Sequence, residues 1–97
     1  MARYVTLLNY TQEGIKTVKD GLKRLEANKK AFAVMGVKLI DFYWVMGQYD
    51  MVAILEAPDD ETAVTAALAY GSKGTGRSVT MRAFSPADMK GIVAKLP

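Results

Sequence analysis

Two runs, Val37-Lys-Leu-Ile-Asp-Phe-Tyr-Trp-Val45 and Asp50-Met-Val-Ala-Ile-Leu-Glu-Ala57, joined by Met46-Gly-Gln-Tyr49, decide the fold. Both are rich in β-branched and aromatic residues, and the short connection contains a glycine, so they read as the two strands of an antiparallel hairpin. A turn at Gly47-Gln48 sets Val45 opposite Asp50, Tyr43 opposite Val52, Asp41 opposite Ile54 and Leu39 opposite Glu56. One face then carries Ile40, Phe42, Trp44, Met46, Tyr49, Met51, Ala53 and Leu55, almost wholly apolar, as expected beneath packed helices. The other face mixes Asp41, Asp50 and Glu56 with Leu39, Tyr43, Val45, Val52 and Ile54. That is more apolar surface than an antiparallel sheet normally offers to water.

Upstream, residues 3–9 read as a first strand. Asn9 or Thr11 can cap the helix expected from Gln12 to Met35, where Ile15, Val18, Leu22 and Leu25 recur at three and four residues and Gly36 supplies the stop. Asp20-Gly21 is the weak point of that helix, since an interior glycine costs about 1 kcal/mol relative to alanine, and a break into two segments is expected there. Downstream, Pro58 stops the second hairpin strand, Asp59 can cap, and Asp60-Glu61 put negative charge at the positive end of a helix dipole. Val64, Ala67 and Leu68 are the expected buried stripe of that helix, which Gly71 and Gly74 end near residue 72. Residues 77–84 form a fourth strand. Ser85-Pro86 then starts a terminal helix lined by Met89, Ile92, Val93 and Leu96. The order β-α-β-β-α-β plus a tail helix is the α+β, ferredoxin-like arrangement with a four-stranded antiparallel sheet, and the expectation is one domain over residues 1–97.

Composition narrows the chemistry. The 97 residues are 51% hydrophobic and 24% charged, the balance of a folded protein. Neither cysteine nor histidine occurs, which removes disulfides, thiolate nucleophiles, histidine-based triads and the usual zinc ligand sets. No metal or cofactor is expected. Residues 1–40 hold eight Lys/Arg against three acids, and residues 41–97 five against seven. The basic stretch is interrupted by Glu13, Asp20 and Glu26 and has no interleaved aromatics, so nucleic acid is not an expected partner. No apolar run approaches the roughly 18 residues of a membrane span, and Met1–Val5 is not a basic segment followed by the roughly 7–15-residue apolar stretch of a secretory signal, so the expected location is the cytoplasm, away from membranes.

Gly47-Gln48-Tyr49-Asp50, the run to Ala57 and the following Pro58-Asp59-Asp60-Glu61 resemble the signature of the GYD domain family, with Gln48 between the Gly and the Tyr. Tyr4-Val-Thr-Leu-Leu-Asn-Tyr-Thr-Gln-Glu-Gly-Ile-Lys-Thr-Val-Lys-Asp20, the Gly-Ser-Lys-Gly loop and Met81-Arg-Ala-Phe84 are similar to that family as well. The resemblance implies a dimeric α/β barrel and carries over no catalytic residue. The same strand also resembles the effector-sensing domain of leucine-responsive regulators, which binds amino acids between subunits. No helix-turn-helix accompanies it here.

Five residues are candidate ligand-binding groups: Asp41, Tyr43, Tyr49, Asp50 and Arg82. Tyr49 and Asp50 sit at the hairpin tip, where Asp50 can accept turn N–H groups or, with Tyr49, line the mouth of a pocket. Asp41, Tyr43 and Arg82 are polar groups on strands expected to be covered. They read either as an Asp41–Arg82 or Asp50–Arg82 pair, within or between subunits, or as a carboxylate base beside a Tyr hydroxyl. Gly71-Ser-Lys-Gly-Thr-Gly-Arg-Ser78 approximates a phosphate loop, but it follows a helix and opens a strand, the reverse of what phosphate binding needs. The six methionines and Phe32, Phe42, Trp44 and Phe84 read as core. The functional expectation is a small-molecule-binding or interaction module acting as a homodimer or larger homo-oligomer. The alternative is a cofactor-independent monooxygenase- or isomerase-like enzyme using Asp, Tyr and Arg between sheet and helices, and a filament subunit is a third reading.

Overall fold

The computed structural model describes residues 1–97. Strand β1 (Ala2–Tyr10) leads into α1 (Gln12–Lys16), a 3-10 turn at Val18–Asp20 and α2 (Gly21–Val34). The hairpin β2 (Lys38–Trp44) and β3 (Met51–Ala57) follows, then α3 (Asp60–Ser72), β4 (Gly76–Ala83) and α4 (Pro86–Val93). The four strands form one antiparallel sheet in the order β2-β3-β1-β4, the ferredoxin-like order.

The helices form where local chemistry satisfies their ends. Thr11 Oγ1 accepts the Gly14 N–H at 3.1 Å, and Asp59 Oδ1 accepts the Thr62 N–H at 2.8 Å. Ser85 and Asp88 form a reciprocal capping box around Pro86. The interruption of the first long helix falls at Thr17, and Gly21 opens the next segment. Carbonyls freed by this break are taken up by Arg24, whose Nη1 donates to Thr17 O at 2.9 Å and Nη2 to Gly14 O at 3.3 Å. Gly36, at φ +86°, ends α2.

All helix packing is on one sheet face, with α2 over β2 and α3 over β3 and β4. The core between the layers contains Tyr4, Leu8, Val37, Met51, Ala53, Leu55, Ala57, Ala63 and Ala66. Three expectations are corrected here. A bulge between Leu39 and Asp41 pairs Leu39 with Leu55 and Lys38 with Glu56, which turns Leu39 toward the helices. The buried stripe of α3 is Ala63 and Ala66 rather than Val64 and Leu68, which are 56% and 69% exposed. The two small alanines let the helix axis approach the sheet closely, and the larger side chains point outward. Met1, Met46, Met81 and Met89, with Trp44 and Phe84, are exposed as well, so they are not core.

Candidate functional site

Alternation along the strands divides the sheet into two surfaces. Beneath the helices lie Tyr4, Thr6 and Leu8 of β1 and their register partners Arg82, Thr80 and Ser78 of β4. The opposite face carries Val5, Leu7, Val52, Ile54, Tyr43, Val79 and Met81, and no helix packs extensively on it; α4 only borders its end, across an open cavity from Arg3, Glu56 and Ala83. Every residue of α4 is exposed, including Met89, Ile92 and Val93.

The five residues singled out from the sequence do not converge. Asp41 and Tyr43 are exposed on the open face. Asp50 is a latch: its Oδ2 accepts the Tyr10 N–H at 2.9 Å and its own N–H donates to Leu8 O at 2.9 Å, with Tyr49 partly buried beside it. Arg82 is far from Asp41 because β2 and β4 are opposite edges of the sheet, and far from Asp50 because Asp50 bonds to Leu8 and Tyr10 at one end of β1 while Arg82 pairs with Tyr4 toward the other. It meets Asp60 instead, Nη1 to Oδ1 at 3.4 Å, and lies 5.8 Å from the Tyr4 ring centre and 5.2 Å from that of Phe84. Tyr4 donates its hydroxyl to the same Asp60 oxygen at 2.5 Å. Burial, followed by that bond, raises the Tyr4 pKa.

A cleft between sheet and helices gathers a different set of residues. Two adjoining cavities of about 50 and 40 Å³ share Leu8, Asn28, Phe42 and Tyr70 as walls. The first is lined further by Phe32, Leu39 and Ala66, and the second by Tyr10, Arg24 and Trp44. Trp44 Nε1 donates to the Tyr10 hydroxyl at 2.9 Å. The Tyr70 hydroxyl stands directly over Gly76, where any Cβ would overlap it. Burial raises the Tyr70 pKa and nearby Tyr10 adds to this, while the Arg24 guanidinium opposes both. No carboxylate lines either cavity, so one chain does not form an Asp/Tyr/Arg acid–base site there. Tyr10, Arg24, Asn28 and Tyr70 had no marker in the sequence as a group. They come from the end of β1, α2 and α3, and only Ala63, Ala66, Ala67 and Tyr70 at helical spacing hinted at the inward face of α3.

The sequence model of the family described as GYD domain matches residues 4–93. The chain belongs to the GYD domain family. Its Gly47-Gln48-Tyr49-Asp50 stretch contains the Asp50 latch between hairpin and β1. A curated relative from Thermus thermophilus, named glutamine synthetase and cystathionine beta-lyase binding protein, is 31% identical over 90 residues, covering 92% of this chain and 95% of the relative. A crystal structure of a Thermus thermophilus protein matches this GYD domain with a TM-score of 0.55 at 23% identity, covering 88% of this chain and 95% of that one, which supports the fold. No helix is long and apolar enough to cross a membrane.

Proposed function

We propose that this chain is a protein-interaction module that works as a homodimer, two copies facing each other through their open sheet faces. The observation that carries this is the apolar face of Val5, Leu7, Val52, Ile54, Val79 and Met81, opposite the face that α2 and α3 cover. Two further features support it, the length of α4 and the extension of the whole chain. A helix of eight residues is below the roughly 12–15 residues at which isolated helices become even marginally stable, so it needs a surface to pack on. The radius of gyration is 14.7 Å, against about 12.5 Å for a compact chain of this length, consistent with parts of the chain reaching toward a neighbour. A second copy is the economical cover, because a two-fold axis buries the same patch on both partners.

The helical layer stays outside such a dimer. It presents Val64 and Leu68 one turn apart on α3, and Val18 and Leu22 one turn apart across the start of α2. This is the surface on which a different protein would dock, and the name of the Thermus relative, a binding protein for two enzymes, supports a protein as the partner class. Sedimentation velocity at micromolar concentration tests the dimer: the expected mass is twice that of the chain, and a monomer rejects it. Surface plasmon resonance against purified glutamine synthetase tests the docking, with a saturable signal abolished by Leu68→Asp as the expected result. No signal, or one indifferent to that substitution, rejects the assigned surface.

A further inference from the structure

We propose that the cleft between the sheet, α2 and α3 binds a small organic carboxylate, with its apolar body against Leu8, Phe32 and Phe42 and its charged head at Arg24, Tyr10 and Tyr70. This site is separate from the open sheet face and from the outer surface of the helices.

The chemistry of the mouth selects the ligand class. Arg24 is the one charged residue lining the two cavities, and no acidic residue accompanies it. Its guanidinium has no carboxylate partner in the chain; its bonds go to the neutral Gly14 O, Thr17 O and Thr17 Oγ1. The Tyr10 hydroxyl accepts from Trp44 Nε1, which leaves its proton to donate elsewhere. The Tyr70 hydroxyl has no hydrogen-bond partner in the chain and lies against Gly76. Asn28 Oδ1 accepts from Lys73 Nζ at 2.9 Å, so what Asn28 can still offer to the cleft is its amide N–H donors. A single cation surrounded by donors suits an acceptor-only monoanion, and a carboxylate is the common organic group of that kind.

The interior sets the body of the ligand. Its walls are mostly apolar, which favours a hydrocarbon tail over a second polar group. Cavities of about 50 and 40 Å³ are together smaller than the roughly 150 Å³ that accommodates benzene, so a short aliphatic chain fits better than an aromatic ring.

Trp44 is the sole tryptophan and lies at the mouth, so its fluorescence and its indole N–H resonance report occupancy directly. The full-length protein would be titrated with butyrate, with butylamine and with inorganic phosphate. The expected result is a saturable change with butyrate alone. Tyr70→Phe keeps the ring and removes a hydroxyl that no group in the chain uses, so it should fold normally in a thermal melt and weaken butyrate binding about tenfold. Arg24→Gln should weaken it at least as much. Absence of saturation, an equal response to butylamine or phosphate, or unchanged butyrate affinity in well-folded Tyr70→Phe would overturn the proposal.

Discussion

The carboxylate of Asp50 holds the end of β1 by accepting the backbone N–H of Tyr10 at 2.9 Å. Asp50 therefore joins the hairpin to the central strand from the position where a loop ligand was expected. Asp50→Ala leaves the Tyr10 N–H without its partner and should lower unfolding free energy by about 1–3 kcal/mol in urea denaturation. Asp50→Asn keeps an acceptor oxygen at that point and should cost less. Equal losses in both variants would show that charge, not the accepted bond, is what matters.

Ala66 and Leu68 make a direct comparison of the two sides of α3. Ala66 is buried against the sheet and Leu68 is exposed. Ala66→Leu forces extra volume between helix and sheet and should destabilise by about 1–3 kcal/mol, whereas Leu68→Gln should stay within about 0.5 kcal/mol. Thermal melts of the two variants decide whether the alanine face is the inner one.

Gly76 and Gly14 are required by close approach. A Cβ at Gly76 would overlap the Tyr70 hydroxyl, and one at Gly14 would overlap the Thr75 carbonyl oxygen. Tyr70 is a side chain that can swing away, so Gly76→Ala should fold with the Tyr70 ring resonances shifted and a loss of about 1–3 kcal/mol. Gly14→Ala meets backbone, which cannot move alone. It should be the more damaging of the two by denaturant midpoint.

Alkaline pH should expose the role of Tyr4. Its proton is bound more tightly in the folded chain, chiefly through burial and then through the bond to Asp60. The stabilisation is complete below the unfolded pKa of about 10 and is lost as pH rises through the higher folded value. Tyr4→Phe has no such proton to lose. It should cost about 1 kcal/mol near neutrality, where the hydrogen bond to exposed Asp60 is lost, and its stability should decline less steeply above pH ~10. Urea midpoints measured from pH 7 to 11 compare the slopes.

Val79 tests the open face. It sits half-exposed beside Leu7, its register partner, with no covering element in the chain. Val79→Glu places a charge in the middle of the proposed dimer contact, where an unpaired buried carboxylate is strongly unfavourable. The variant should sediment as a monomer with unchanged far-ultraviolet circular dichroism. A dimer that survives this substitution would place the contact elsewhere.

The local elements were legible because they depend on neighbours in sequence. Alternation from Met51 to Ala57, the caps at Thr11, Asp59 and Ser85, and the stop at Gly36 are all short-range chemistry, and the element order followed from them. The break in the first long helix is legible at Asp20-Gly21, where α2 opens, but its extent is not: the interruption reaches back to Thr17, where the Arg24 guanidinium serves the freed carbonyls. The bulge at Ile40 left no trace in the pattern, and it moved Leu39 to the other side of the sheet.

What the amino-acid sequence determined by itself was therefore the set of strands and helices, their order, the family, and a sheet whose second face is too apolar for water. What only the tertiary structure decided was which polar groups meet. Strand order separates Asp41 from Arg82 across the full width of the sheet, while helix packing brings Arg24, Asn28 and Tyr70 to Tyr10 over one cleft. Periodicity fixes the face on which a side chain lies. Its neighbours depend on how closely separate elements pack, and here two alanines on α3 and a glycine beneath Tyr70 set those distances.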